Sequence, residues 1–113
     1  MKIESYGFGK IIINGKIYNS DVIIYPDRVD DHWWRKEGHV LQIEDLKDIF
    51  GEKPQMLVIG TGFYGIMKVP PGTIDEISGR GIEVRIEKTN NSVTLFNELS
   101  VNKKVIAALH LTC

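Results

Sequence analysis

The chain has 113 residues, of which 42% are apolar, 26% charged and 9% aromatic, a globular make-up of one domain's length that excludes a disordered, collagen-like or coiled-coil chain. Fourteen Lys and Arg against fifteen Asp and Glu leave a net charge of -1, so no electrostatic pull toward nucleic acid or an anionic membrane is expected. A single cysteine, Cys113, excludes an intrachain disulfide.

Met1-Lys2-Ile3-Glu4-Ser5 carries neither the apolar core of a secretory signal nor an Arg/Ser-rich leader. Apolar runs such as Met56-Leu57-Val58-Ile59 fall far short of the roughly 18 residues that mark a membrane span. A cytoplasmic, water-soluble protein is the expectation.

Strands dominate the first 25 residues. Lys10-Ile11-Ile12-Ile13 runs into Asn14-Gly15, a hairpin signal because a type I′ turn needs positive φ at both central positions. Lys16-Ile17-Tyr18 returns, and after the polar break Asn19-Ser20-Asp21 the β-branched run Val22-Ile23-Ile24-Tyr25 supplies a third strand of a meander, stopped by Pro26. Residues 27–42 are polar, aromatic and non-periodic, which predicts an extended loop with at most a short strand. Leu41, Ile43, Leu46, Ile49 and Phe50 then fall near helical spacing, with Gly51 and Pro54 as stop signals.

From residue 55 the pattern becomes α/β. Met56–Ile59 predicts a short buried strand ending in Gly60-Thr61-Gly62. Thr73-Ile74-Asp75-Glu76 has the form of a capping box opening a short helix that ends at Gly79-Arg80-Gly81. Ile82, Val84 and Ile86 alternate with Glu83, Arg85 and Glu87, as in a strand with one wetter face. Asn90 or Asn91 can cap a second helix with Val93, Phe96 and Leu99 on one stripe, and Val105–Leu109 reads as a strand buried on both faces. This strand–helix–strand–helix–strand unit over 55–111 favours a parallel sheet with right-handed crossovers. No linker separates it from the meander, so residues 1–113 are read as a single α/β domain.

Three groups of residues could carry chemistry. Gly60-Thr61-Gly62-Phe63-Tyr64-Gly65 is a literal G-x-G-x-x-G after a strand, but Pro70-Pro71 deny the helix that a dinucleotide site needs there. The pattern fits a glycine turn, whose exposed amides near Gly60 and Gly62, with Lys68 close in sequence, could hold a small anion outside the strand ends. Second, Asp30, Asp31, His32, Trp34, Arg35 and His39 could in principle bind a metal, yet His32 and His39 lack regular ligand spacing. Arg35 could clamp a carboxylate or phosphate, or pair with a local acid while Trp33 and Trp34 anchor the loop to the core. Third, His110 and Cys113 invite a Cys/His catalytic reading, but residues three apart on a strand point to opposite faces, and a terminal thiol is usually frayed.

The ordered combination of these pieces resembles a small family. It rests on Phe8-Gly9-x-Ile11 through Asn14-Gly15-x-x-Tyr18 and Asp21-Val22, then Trp34-Arg35, then Leu57-Val58-Ile59-Gly60-Thr61-Gly62. It continues in Lys68-Val69-Pro70, Gly81-Ile82-Glu83-Val84-Arg85, Thr89, Phe96-Asn97-x-Leu99 and Ala107-Ala108-Leu109-His110. The family includes archaeal proteins of unknown function, an adipogenesis-associated mammalian protein, whose branch His110-x-Thr112-Cys113 especially resembles, and a mitochondrial respiratory complex I assembly factor. The resemblance implies a mixed central sheet with an added β-hairpin layer, no established enzymatic activity, and interaction or assembly roles.

Two functions follow as expectations. The first is a non-enzymatic interaction or assembly protein with an unidentified protein partner, for which an exposed hairpin edge could also support a homodimer. The second is a small-ligand or anion-binding protein, or an enzyme, with its site at the Gly60-Thr61-Gly62 turn and Trp34, Arg35, His39 and Lys68 as further ligand candidates. No cofactor, nucleic acid or membrane partner is expected. A single concave pocket lined by Trp34, Arg35 and the glycine turn would favour the second.

Overall fold

Asn14 and Gly15 both take positive φ, 50° and 80°, as the type I′ turn requires. In this computed structural model, which describes residues 1–113, they join β2 (Lys10–Ile13) to β3 (Lys16–Tyr18), and β1 (Ile3–Gly7) pairs with the other side of β2. The result is a three-stranded antiparallel meander in the order β1-β2-β3. The run at Val22 does not extend it. The chain crosses over, and β4 (Val22–Ile24), with β5 (Val29–Asp30), joins a second sheet. The reason is burial: Val22, Ile23 and Ile24 are apolar on both faces and can be covered only inside a layered sheet.

A 3₁₀ turn over Ile43–Leu46 runs into a single helical turn, α1 (Lys47–Phe50), where the apolar spacing predicts a helix. Then follow β6 (Met56–Gly60), α2 (Pro71–Gly79), β7 (Glu83–Glu87), α3 (Thr89–Leu99) and β8 (Val105–Leu109). β6 pairs in parallel with both β7 and β8, and β4 pairs antiparallel with β8, so the five-stranded sheet is mixed, in the order β5-β4-β8-β6-β7. No helix is long and apolar enough to cross a membrane.

Successive side chains of the buried strands serve two cores, one on each face. Ile23, Leu57, Ile59, Ile106 and Ala108 pack with Trp33, Leu41, Leu46, Ile49, Met67 and Ile77. Val22, Ile24, Met56, Val58, Val105, Ala107 and Leu109 pack with Phe96 of α3 and with Ile3, Ile11 and Ile13 of the meander. The large sheet is therefore the middle layer.

Both predicted helix starts are corrected. α2 begins at Pro71, a residue suited to a first turn because its missing N–H would have no partner there. Thr73 thus lies inside the helix, and its hydroxyl donates to the Leu41 carbonyl at 3.2 Å instead of capping. α3 begins at Thr89 after Lys88, which leaves Asn90 and Asn91 exposed within the first turn.

Candidate functional site

The parallel strands β6 and β8 end at the same edge of the sheet as antiparallel β4 begins, since Val22 pairs with Leu109 and Gly60 with Leu109. Asp21, His110 and the Gly60-Thr61-Gly62 turn therefore meet there, on either side of the segment His110–Cys113. Asp21 Oδ1 accepts from the Leu111 amide at 2.7 Å. The phenol of Tyr6, pushed up to about 12 chiefly by burial, donates to the Leu111 carbonyl at 2.7 Å, and the Gly9 amide donates to the same oxygen at 2.8 Å.

Into this edge the loop after β5 inserts Arg35. Its side chain is 5% exposed and lies against the Trp33 ring, 4.6 Å from the centroid. Arg35 Nη2 lies 2.8 Å from Asp21 Oδ2, and Nε and Nη2 both donate to the Gly38 carbonyl at 3.3 and 3.0 Å. His110, 6% exposed, sets Nδ1 2.8 Å from the same Asp21 oxygen. Arg35 Nη2 also reaches this nitrogen, at 3.1 Å, so Nδ1 lies between a carboxylate that only accepts and a guanidinium that only donates. The His39 ring stands edge-on to His110 with centroids 5.8 Å apart. Burial pushes the Asp21 carboxyl up, but His110, the Leu111 amide and Arg35 outweigh it and hold the group below its usual range. Arg35 Nη1 and His110 Nε2 are buried with no partner.

The glycine turn is built differently from the expected anion cradle. Its amides are engaged: Thr61 N–H donates to Glu87 O at 2.9 Å, Gly62 N–H to Thr89 Oγ1 at 2.9 Å, and Phe63 N–H to Thr112 O at 2.6 Å. Thr89 in turn donates to the His110 carbonyl at 2.7 Å. Gly62 has φ +110°, and a Cβ there would lie 2.4 Å from the carbonyl carbon of Cys113. Glycine is needed because the chain end packs directly on the turn. Cys113 is correspondingly tied down, its carbonyl accepting from Ile66 N–H at 3.0 Å, not frayed.

The predicted residues thus divide. Arg35 and His39 gather around His110; Gly60, Thr61 and Gly62 lie across the same sheet edge; Lys68 is joined to His39 through its amide, which donates to His39 O at 2.8 Å. Trp34 stands apart: it is 76% exposed and does not anchor the loop, a role left to Trp33, whose Nε1 donates to Asp45 O at 3.0 Å. Trp34 lines the largest surface hollow with Asp30, His32 and Asp48, and neither Arg35 nor the glycine turn reaches it. No three His, Cys, Asp or Glu side chains converge as metal ligands. Sequence reasoning missed Asp21 as a site residue. Its signals were its place in a polar break before a wholly apolar strand and the Asp21-Val22 pair among the residues that carry the resemblance.

The loop Phe63–Ile66 projects beyond this edge and meets the β1–β2 turn. Phe63 packs on Tyr64 at 5.1 Å, on Phe8 at 5.9 Å and on Tyr6 at 6.3 Å between centroids, and Phe8 reaches Tyr64 at 6.1 Å. Tyr64 is 62% exposed and Phe8 52%, with Ile66 also exposed beside them. The rings form an open aromatic cap on two separate segments of chain.

A conserved hypothetical protein of Pyrococcus horikoshii OT3 is 31% identical to this chain over the full length of both and superposes with a TM-score of 0.86. The protein MT938 is 26% identical, covering 99% of this chain and 98% of its own, with a TM-score of 0.81. A protein described as an outer membrane protein of Bartonella henselae shares the fold at 23% identity and a TM-score of 0.82, over 98% of this chain and 94% of its own. The family model described as a protein of unknown function (DUF498/DUF598) matches residues 3–110. This chain belongs to the DUF498/DUF598 family.

Proposed function

We propose that this chain is a non-enzymatic interaction or assembly domain that engages a protein partner through its aromatic cap. The observation carrying the proposal is the cluster of Phe8, Phe63, Tyr64 and Ile66, in which three of the four side chains are exposed. Apolar rings gathered in water mark interaction surfaces, and Tyr and other large aromatics dominate binding energetics because they bury much area at little rotamer entropy. The cap is also pre-organised, since Phe63 and Ile66 are pinned through their amides to Thr112 and Cys113. A ligand site at the glycine turn has less support, because the turn's amides are engaged and Trp34 and Arg35 share no hollow.

The test is affinity capture from native extract with the natural chain and with Phe8→Ser/Tyr64→Ser. Both positions are exposed, so each substitution changes stability by about 0.5 kcal/mol at most and the fold serves as its own control. A defined partner held by the natural chain and released by the variant supports the proposal. Capture unaltered by the variant, or a chain that runs alone under every condition, overturns it. Sedimentation of the purified chain tests self-association: a dimer lost in the variant makes the partner a second copy.

A further inference from the structure

Arg35 and His110 touch one another, Nη2 lying 3.1 Å from Nδ1, and each ends in a buried nitrogen with no partner. These are the only two such side-chain atoms in the chain. Buried polar atoms are nearly always paired, and one left alone costs about 1–3 kcal/mol, so two on neighbouring side chains single out this spot. We infer that Arg35 Nη1 and His110 Nε2 together bind a small oxyanion of the carboxylate or phosphate type, under the loop that carries His39. This inference is independent of the aromatic cap.

The donor count defines the ligand. A guanidinium has five N–H bonds. In Arg35 Nε and Nη2 both donate to Gly38 O, Nη2 also faces His110 Nδ1 and pairs with Asp21 Oδ2, and the two bonds on Nη1 are left over. Asp21 is turned to its own partners, Leu111 N–H on Oδ1 and His110 and Arg35 on Oδ2. The charges of Asp21 and Arg35 cancel each other. A cation would be repelled by Arg35. An oxyanion accepts from Nη1, and from Nε2 when that nitrogen carries a proton. Binding therefore favours the form with a proton on Nε2.

The titratable groups around His110 are Asp21 ahead of β4, Arg35 and His39 on the covering loop, and the Tyr6 phenol of β1 beyond Asp21. β6 and α3 present Gly60 and Thr89, which carry no charge. Entry requires the loop to lift. Lys36, Gly38 and His39 are exposed, and the loop is tied to the body by Lys36 N–H on Asp45 Oδ1 at 3.1 Å and by Lys68 N–H on His39 O at 2.8 Å. Only a compact ligand suits so closed a place.

The probes are sulfate and formate, whose charges stay constant over the range used, titrated at fixed ionic strength into the ¹⁵N-labelled chain while the imidazole nitrogens are followed by NMR. Expected is a saturable shift of the His110 Nε2 resonance, with that nitrogen protonated in the bound form. Saturation by sulfate alone assigns a phosphate-type ligand, and by formate alone a carboxylate. Arg35→Lys keeps the charge but removes Nη1, and should weaken binding at least about tenfold. The inference is overturned if neither salt moves His110 saturably at about 0.1 M, which would leave a bridging water only, or if the response is unchanged in Arg35→Lys. The natural chain alone decides the first outcome, whether or not the variant folds.

Discussion

Asp21→Asn removes the charge on which the buried edge cluster depends while keeping its shape. The carboxylate accepts from Leu111 N–H at 2.7 Å, and His110 Nδ1 and Arg35 Nη2 each lie 2.8 Å from its other oxygen. A carboxamide has one acceptor oxygen, and its NH₂ group confronts donors. Arg35, 5% exposed, becomes a buried cation with no counter-charge. An exposed ion pair contributes about 0–1 kcal/mol, whereas breaking a buried one by deleting a single partner costs about 3–5 kcal/mol. The burial of Arg35 and Asp21 places this pair in the second class. Against a total stability of about 5–15 kcal/mol, that is a large share. At roughly 4 °C per kcal/mol, the melting temperature should fall by about 12–20 °C.

Urea unfolding followed by tryptophan fluorescence measures the loss, because Trp33 is buried beside Arg35. A loss below about 1 kcal/mol refutes the reasoning. The double variant Asp21→Asn/Arg35→Met should lose less than the sum of the single losses, since no lone charge remains buried. Acid behaviour supplies a second readout. Asp21 is held below its usual value in the folded chain, so its contribution is complete above the unfolded value near 3.8 and is lost as pH falls through the lower folded value. The natural chain should lose this component in that window, and Asp21→Asn should not show it.

Three further outcomes are expected. Gly62→Ala forces a Cβ to within 2.4 Å of the Cys113 carbonyl carbon at φ +110°, and should detach the chain end, read as faster amide exchange at Phe63 and Ile66; Gly15→Ala, with φ +80° but nothing within 4 Å, should cost only about 1 kcal/mol. Equal effects would refute the packing account. Thr89→Val keeps volume but deprives both Gly62 N–H and His110 O of a partner, a loss of about 2–3 kcal/mol by denaturant titration, and a loss near zero would mean that neighbouring groups re-pair. Trp33→Ala should cost about 3–5 kcal/mol and Trp34→Ala no more than about 0.5 kcal/mol, and the reverse order in thermal melts would place the wrong indole in the core.

Legibility in the sequence followed the range of the interaction. β8 could be read within one residue because Val105–Leu109 is apolar throughout, and the β2–β3 turn because Asn14-Gly15 suits a single turn type. Thr73 misled because its hydroxyl has a better partner in Leu41 O, 32 residues away, than in its own helix. The glycine turn misled for the same reason, its amides being used by Glu87, Thr89 and Thr112. Arg35 could be singled out by its chemistry alone, but not the acid it meets.

The β2–β3 hairpin, the order of elements from β6 to β8, the two-faced burial of β8 and the α/β class were determined by the sequence itself, since hydrophobic period and turn chemistry act over a few residues. The move of β4 into the large sheet, the chain end closing on Gly62, and the meeting of Asp21 with His110, 89 residues apart, were decided by tertiary structure. Short-range propensity fixes what each segment forms. Which polar groups meet depends on which strands a two-sided core makes neighbours, and each buried donor must then find its acceptor there.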